Sequence, residues 1–178
     1  MHFAIVGAGA LGGILGAHLL AAGHEVALVA RGARAEQLRA QGLRIRGLRD
    51  INLPCRVLAP GAAEREPGVL IYTVKTYQMD EALAAHTHTR PLAVFSVANG
   101  VMKNEQLRDV HGAATVLGCM ANVSGELMSD GEVLFTRNVR MPLGPLAGYG
   151  GPSAASIATV IDAAGVVTEH HEVLAGES

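Results

Sequence analysis

One stretch constrains this chain more than any other. An apolar run, HFAIV, breaks at residues 7–12 into GAGALG, and the chain then continues uncharged to Leu20. Glycine at Gly7, Gly9, Gly12, Gly13 and Gly16 is too dense for an ordinary helix. A bilayer, a closely packed buried helix or a phosphate group would each call for it. Residues 3–23 lack Asp, Glu, Lys and Arg, which is long enough to span a membrane. The spacings Gly9/Gly13 and Gly12/Gly16 would suit helix pairing in lipid. Yet no Lys or Arg precedes the stretch as a signal peptide requires, and a second strand-like unit follows at once. The sequence therefore predicts no membrane role.

The third reading explains the glycines one by one. A strand that flows through G-x-G-x-x-G into a helix is the dinucleotide-binding fingerprint. Gly7 permits the tight turn, Gly9 lets a pyrophosphate approach the backbone, and Gly12 lets the helix pack on the strand. Gly7, Ala8, Gly9, Ala10, Leu11 and Gly12 are thus candidate cofactor-binding residues. The helix start adds free N–H groups and partial positive charge. The alternative at these positions is a glycine-rich helix that only packs closely on a sheet.

The second strand indicates which nucleotide. An NAD site places Asp or Glu at the end of that strand, on the ribose 2′-hydroxyl. Here the strand, HEVALVAR, ends at Arg31. Its acid, Glu25, lies six residues earlier, roughly 20 Å away along an extended chain. Arg31 offers a planar fork of donors to a 2′-phosphate, with Arg34 as a second candidate. NADP(H) is expected over NAD(H) or FAD.

Apolar residues make up 49% of the 178-residue chain, which excludes disorder and suits one domain. Aromatic residues are 3% and Trp is absent, so Ala, Val, Leu and Ile must build the core. A formal charge of -2 points away from nucleic acid. Two cysteines, Cys55 and Cys119, read as reduced thiols of a cytoplasmic protein. His86, His88, His170 and His171 form no cluster with enough converging ligands for a metal. Arg44, Arg46, Arg49 and Arg56 alternate with acids such as Asp50, Glu64 and Glu66, which reads as a solvated face.

Apolar runs at 2–9, 24–31, 68–75 and 91–100 predict buried strands, with helices over 10–23, 34–42, 77–86 and 103–110 between them. Residues 43–59 predict two short peripheral strands, and 114–123 one more. Residues 132–145 read as an antiparallel hairpin closed by Pro142 and Pro145. A helix over 152–165 and a strand at 166–171 follow. The expected fold is α/β: a Rossmann-type, doubly wound, mostly parallel sheet with helices on both faces and a C-terminal antiparallel hairpin extension. Residues 1–178 read as one NADP(H)-binding domain.

Two more strands end in polar residues, at Lys75 and at Asn99-Gly100. Ligands in such sheets sit at that edge. GAGALGG, VAR, TVKTYQ and ANG, in this order, resemble the ketopantoate reductase (2-dehydropantoate 2-reductase) family. GELMSDGEVLF and PLGP fit the hairpin region of its first domain. The resemblance implies NADPH-dependent reduction of the 2-keto acid ketopantoate to pantoate, on the way to pantothenate and coenzyme A. It places Lys75 near the nicotinamide ribose, Asn99 between nicotinamide and substrate, Gln78 behind Lys75, and Ser124 against the nicotinamide. Where many relatives carry Gln before the Asn-Gly pair, this chain has Ala98.

The resemblance also implies an all-helical second domain whose first helix supplies a general-acid lysine. That lysine is expected beyond Ser178, so no catalytic residue is assigned within the chain. Lys103 reads as a solvated residue at a helix start. The chain is expected to bind NADP(H) with little turnover, and its open inter-domain face could support a homo-oligomer. The alternative is a non-catalytic NADP(H)-binding or sensing module that acts through a partner.

Overall fold

The computed structural model describes residues 1–62 and 66–172. Glu64 and the end of the chain, counted above in the charge pattern and the domain, lie outside the described residues. A parallel sheet has the order β5-β2-β1-β6-β7, from β1 (His2–Val6), β2 (Glu25–Val29), β5 (Arg56–Leu58), β6 (Val69–Tyr72) and β7 (Ala93–Ser96). The chain steps outward from β1 on one side, then returns to β1's other side with β6. That reversal opens a crevice at the carboxyl ends of β1 and β6.

Period-two burial explains why helices cover both faces. On β1, Phe3 and Ile5 join the larger core, and Ala4 and Val6 join a second one. The larger core holds α1 (Ala10–Ala21), α2 (Gly32–Gln41) and α5 (Ala154–Ala164). The second holds α3 (Met79–Ala85) and α4 (Lys103–His111). β1, β2, β6 and β7 are buried on both faces, so they read as apolar runs rather than alternating ones, while β5 is a short edge strand. At 12 residues α1 is too short to span a bilayer, and no helix among the described residues is long and apolar enough to do so. Helix ends follow local chemistry: Gly23 (φ 90°) follows α1, Ser153 Oγ accepts from Ser156 N at the start of α5, and Gly165 in the left-handed region ends it.

The C-terminal region departs from expectation. Residues 132–145 do not form a hairpin of their own. They form one 13-residue strand, β10 (Val133–Pro145), that contains both prolines. The expected single strand at 114–123 is instead β8 (Leu117–Cys119), with β9 (Asn122–Leu127) directly after it, and both run antiparallel to β10. The hairpin is β9–β10. Pro142 is tolerated because its carbonyl still accepts from Met120 N at 3.2 Å, and Pro145 is the last strand residue. Register shifts after Phe135 and Asn138 bend β10. Its first half then pairs in parallel with β3 (Leu43–Gly47) and its second half with β11 (Thr168–His170). Residues 43–59 give three strands rather than two: β3, β4 (Ile51–Leu53) and β5. The basic residues there are held individually. Arg44 donates to Gln41, Arg46 pairs with Glu132 and Arg49 donates to the Ala164 carbonyl.

One buried contact ties stability to pH. Tyr72 Oη lies 2.8 Å from His111 Nε2, which requires a bare, neutral imidazole nitrogen if tyrosine donates. Burial, with His86 and Arg90 nearby, holds the His111 pKa down to about 4, while burial pushes that of Tyr72 up. A histidine depressed in the folded state takes its proton more readily when unfolded. Stability is therefore complete above about pH 6.5 and declines as pH falls toward 4. Urea unfolding should show that decline, with a shallower slope in His111→Gln. An unchanged slope in the variant would remove His111 from the account.

Candidate functional site

The carboxyl ends of β1, β2 and β6 meet at a cavity of about 420 Å³, lined by Gly7, Ala8, Gly9, Arg31, Arg34, Thr73, Lys75, Gln78 and Glu81 among others. Its size suits a cofactor-scale ligand. Residues from distant parts of the chain converge there because each follows a strand of the parallel sheet.

The three fingerprint glycines do three different things. Gly7 sits at φ 111°, a region side chains avoid, and its N–H bonds Val29 O at 3.1 Å. A Cβ on Gly12 would collide with the Gly7 carbonyl and lie 2.7 Å from Thr73 Oγ1, so only hydrogen lets α1 leave β1 this closely. A Cβ on Gly9 would meet nothing within 4 Å. Gly9 is thus not needed for packing, and it faces open space at the start of a 12-residue helix. The first helical bond runs from Gly13 N to Gly9 O, so the N–H groups of Ala10, Leu11 and Gly12 lie in the turn that lacks intrahelical partners. The elbow therefore fits a dinucleotide pyrophosphate: the one unhindered glycine lies where donors point outward.

Thr73, unnoticed in the sequence, anchors this elbow. Its Oγ1 donates to Gly7 O at 2.8 Å and lies 3.2 Å from Val6 O. Arg34 clamps the other side. Its Nε donates to Ala8 O at 2.6 Å and its Nη1 to Gly131 O at 2.9 Å, which ties the elbow to the β9–β10 turn. Arg34 Nη2 is buried without a hydrogen-bond partner among the described residues, and burial lowers the guanidinium pKa. Arg31 behaves differently. It is exposed at the start of α2, and its two terminal nitrogens reach Glu81 on α3 at 2.5 and 3.4 Å. That hydrogen bond and the opposite charge hold Arg31 up and Glu81 down from their usual pKa values.

Lys75 is exposed on the cavity wall, and its backbone N–H is fixed by Gln78 Oε1 at 3.2 Å. Asn99 is exposed beyond β7, and its carbonyl accepts from Thr76 Oγ1 at 2.5 Å. This bond joins the Asn99 and Lys75 loops, although Asn99 itself does not line the cavity. Ser124, exposed on β9 opposite Arg137, does not line it either. Ala10, Leu11 and Gly12 carry the free N–H groups of that turn, although they are not among the residues that line the cavity. Lys103 corrects an expectation. It is 6% exposed, not solvated, with Nζ donating to Ala98 O at 3.1 Å and to Cys119 O. Those carbonyls stand where β7 and β8 end, and they draw the ammonium inward.

The doubly wound sheet and its glycine elbow define the nucleotide-binding Rossmann class. Within that class the chain belongs to the ketopantoate reductase PanE/ApbA family, whose sequence model matches residues 3–148. It is 31% identical over 165 residues to a 2-dehydropantoate 2-reductase of Archaeoglobus fulgidus, covering 93% of this chain and 54% of the relative. It superposes on a PanE/ApbA family ketopantoate reductase from Ralstonia eutropha JMP134 with TM-score 0.84 and 28% identity, covering 96% of this chain and 56% of the other. The fold alone is shared with a D-mandelate dehydrogenase solved with NADH and anilino(oxo)acetate: TM-score 0.87, 19% identity, 96% of this chain and 57% of that one. The chain spans 37% to 54% of the length of three curated 2-dehydropantoate 2-reductases that it matches.

The two inner glycines should separate on substitution. Gly12→Ala should lower stability by about 1–3 kcal/mol or more, since backbone must move. Gly9→Ala should leave the thermal midpoint of the ligand-free protein nearly unchanged. Equal losses in both variants would contradict the geometry.

Proposed function

We propose that this chain is the cofactor-holding part of an NADPH-dependent reductase of a 2-keto acid, ketopantoate being the substrate that its relatives' names indicate. The observation that carries the reading is the unhindered Gly9 at the head of α1, with Arg31 on the same cavity. Gly7 to Gly12 would receive the pyrophosphate through backbone N–H groups. Arg31 would meet the adenosine 2′-phosphate with its planar fork. Lys75, held in place through Gln78, would hold the nicotinamide ribose. Asn99 would lie between nicotinamide and substrate, on the loop that Thr76 braces, and Ser124 would back the nicotinamide.

A bound reduced nicotinamide supplies the hydride for the ketone carbon. The chain's own part is to fix the cofactor's orientation, which accounts for a large share of such rate enhancements. The developing alkoxide also needs a proton. The sequence holds two lysines. Lys75 is assigned to the cofactor, and the ammonium of Lys103 is sealed by two carbonyls. Without a placed acid, about 10²–10⁴-fold in rate is lost. The chain alone is therefore expected to bind NADPH and turn over ketopantoate poorly.

Calorimetric titration tests the first half. NADPH should bind more tightly than NADH, and Arg31→Ala should weaken NADPH by about ten- to a hundredfold, as loss of charge-assisted hydrogen bonds implies. NADH should change little. Tighter binding of NADH by the unaltered chain would overturn the NADP(H) assignment. Brisk ketopantoate-dependent loss of nicotinamide absorbance would overturn the assignment of the two lysines.

A further inference from the structure

Arg31, the cation assigned above to the 2′-phosphate, is already engaged. Both of its terminal nitrogens reach one carboxylate, that of Glu81, from a helix 50 residues away in the chain. Both side chains line the cavity, and both are well exposed, at 62% and 65%. No packing forces them together, so the pair can open without disturbing the core. Asp80, the adjacent carboxylate, is turned elsewhere and accepts from Gln106 Nε2 at 2.8 Å. Glu81 alone of the two thus sits where an incoming phosphate must pass.

We propose that Glu81 is a specificity-determining residue for the cofactor, a resident counter-charge that competes with the 2′-phosphate for Arg31. The inference rests on the NADP(H) reading of the cavity and adds to it the residue that limits its selectivity. With the pair closed, Arg31 presents little net charge. NADPH must displace Glu81 and then carry a dianionic phosphate near its carboxylate. NADH has a hydroxyl there and pays neither penalty. Two opposed effects set the preference: Arg31 draws the phosphate in, and Glu81 holds the preference below what Arg31 alone would give. Exposed ion pairs and carboxylate–phosphate repulsion in water are each modest, so their joint effect is on the order of tenfold.

Dissociation constants for NADPH and NADH, measured on the full chain and on Glu81→Gln, Asp80→Asn and Arg31→Ala/Glu81→Gln, test this. Glu81→Gln should tighten NADPH about tenfold and leave NADH within about twofold. Asp80→Asn, with the same loss of charge one residue away, should leave the ratio unchanged. In the Arg31→Ala background the effect of Glu81→Gln should shrink, because the contested partner is gone. Parallel shifts in both cofactors, or equal responses to Asp80→Asn and Glu81→Gln, would overturn the role of Glu81 while NADPH binding by the unaltered chain still stands. Failure of that chain to bind either nucleotide would overturn both readings together.

Discussion

The structure depends on one close approach, that of Gly12 to the carbonyl of Gly7. With no side chain on Gly12, α1 rises directly off the end of β1 and its first turn faces the crevice. A methyl group there would drive the helix away from the strand, and the helix start would lose its aim. Thr73, just after β6, and Arg34 from α2 then lock the turn from two sides, each by donating to a carbonyl of the elbow. The cavity is a consequence of this packing, since parallel strands deliver their following loops to one edge.

Charge at that edge is arranged rather than accumulated. Arg34 is spent on structure, bonded to Ala8 and Gly131. Lys103 is drawn inside by the carbonyls of Ala98, after β7, and Cys119, the last residue of β8. Arg31 and Lys75 are left on the cavity wall, at the ends of two strands that flank β1. Both are exposed, and Arg31 is balanced by Glu81. A weakly acidic protein, at a formal charge of -2, can thereby offer an anion a local site without a basic surface.

Much of this was legible in the residues, for physical reasons. Strands buried on both faces leave unbroken apolar runs, so β1, β2, β6 and β7 stand out. The glycine spacing shows the elbow because Gly7 needs its positive φ and Gly12 has no room for a Cβ, while Gly9 leaves the helix start unhindered. The bent β10 was not legible: prolines 142 and 145 mark a stop in most contexts, and only the partner strands show that the missing N–H groups are harmless. Lys103 follows an Asn-Gly turn at a helix start, which looks like surface, and the carbonyls that bury it come from residues 98 and 119. The Arg31–Glu81 pair could not be read either, since nothing local links residue 31 to residue 81. Thr73 carried a weak signal, a threonine two residues before Lys75 at a strand end.

The central claim is that the elbow opening α1 is a receptor for the phosphates of a dinucleotide. Backbone amide resonances followed by NMR during titration with NADPH test it most directly. The account predicts the largest shifts at residues 7–13 and at Arg31 and Lys75, with β3, β4 and β11 undisturbed. Saturable binding whose largest shifts fall away from the elbow, or none at all, would contradict it.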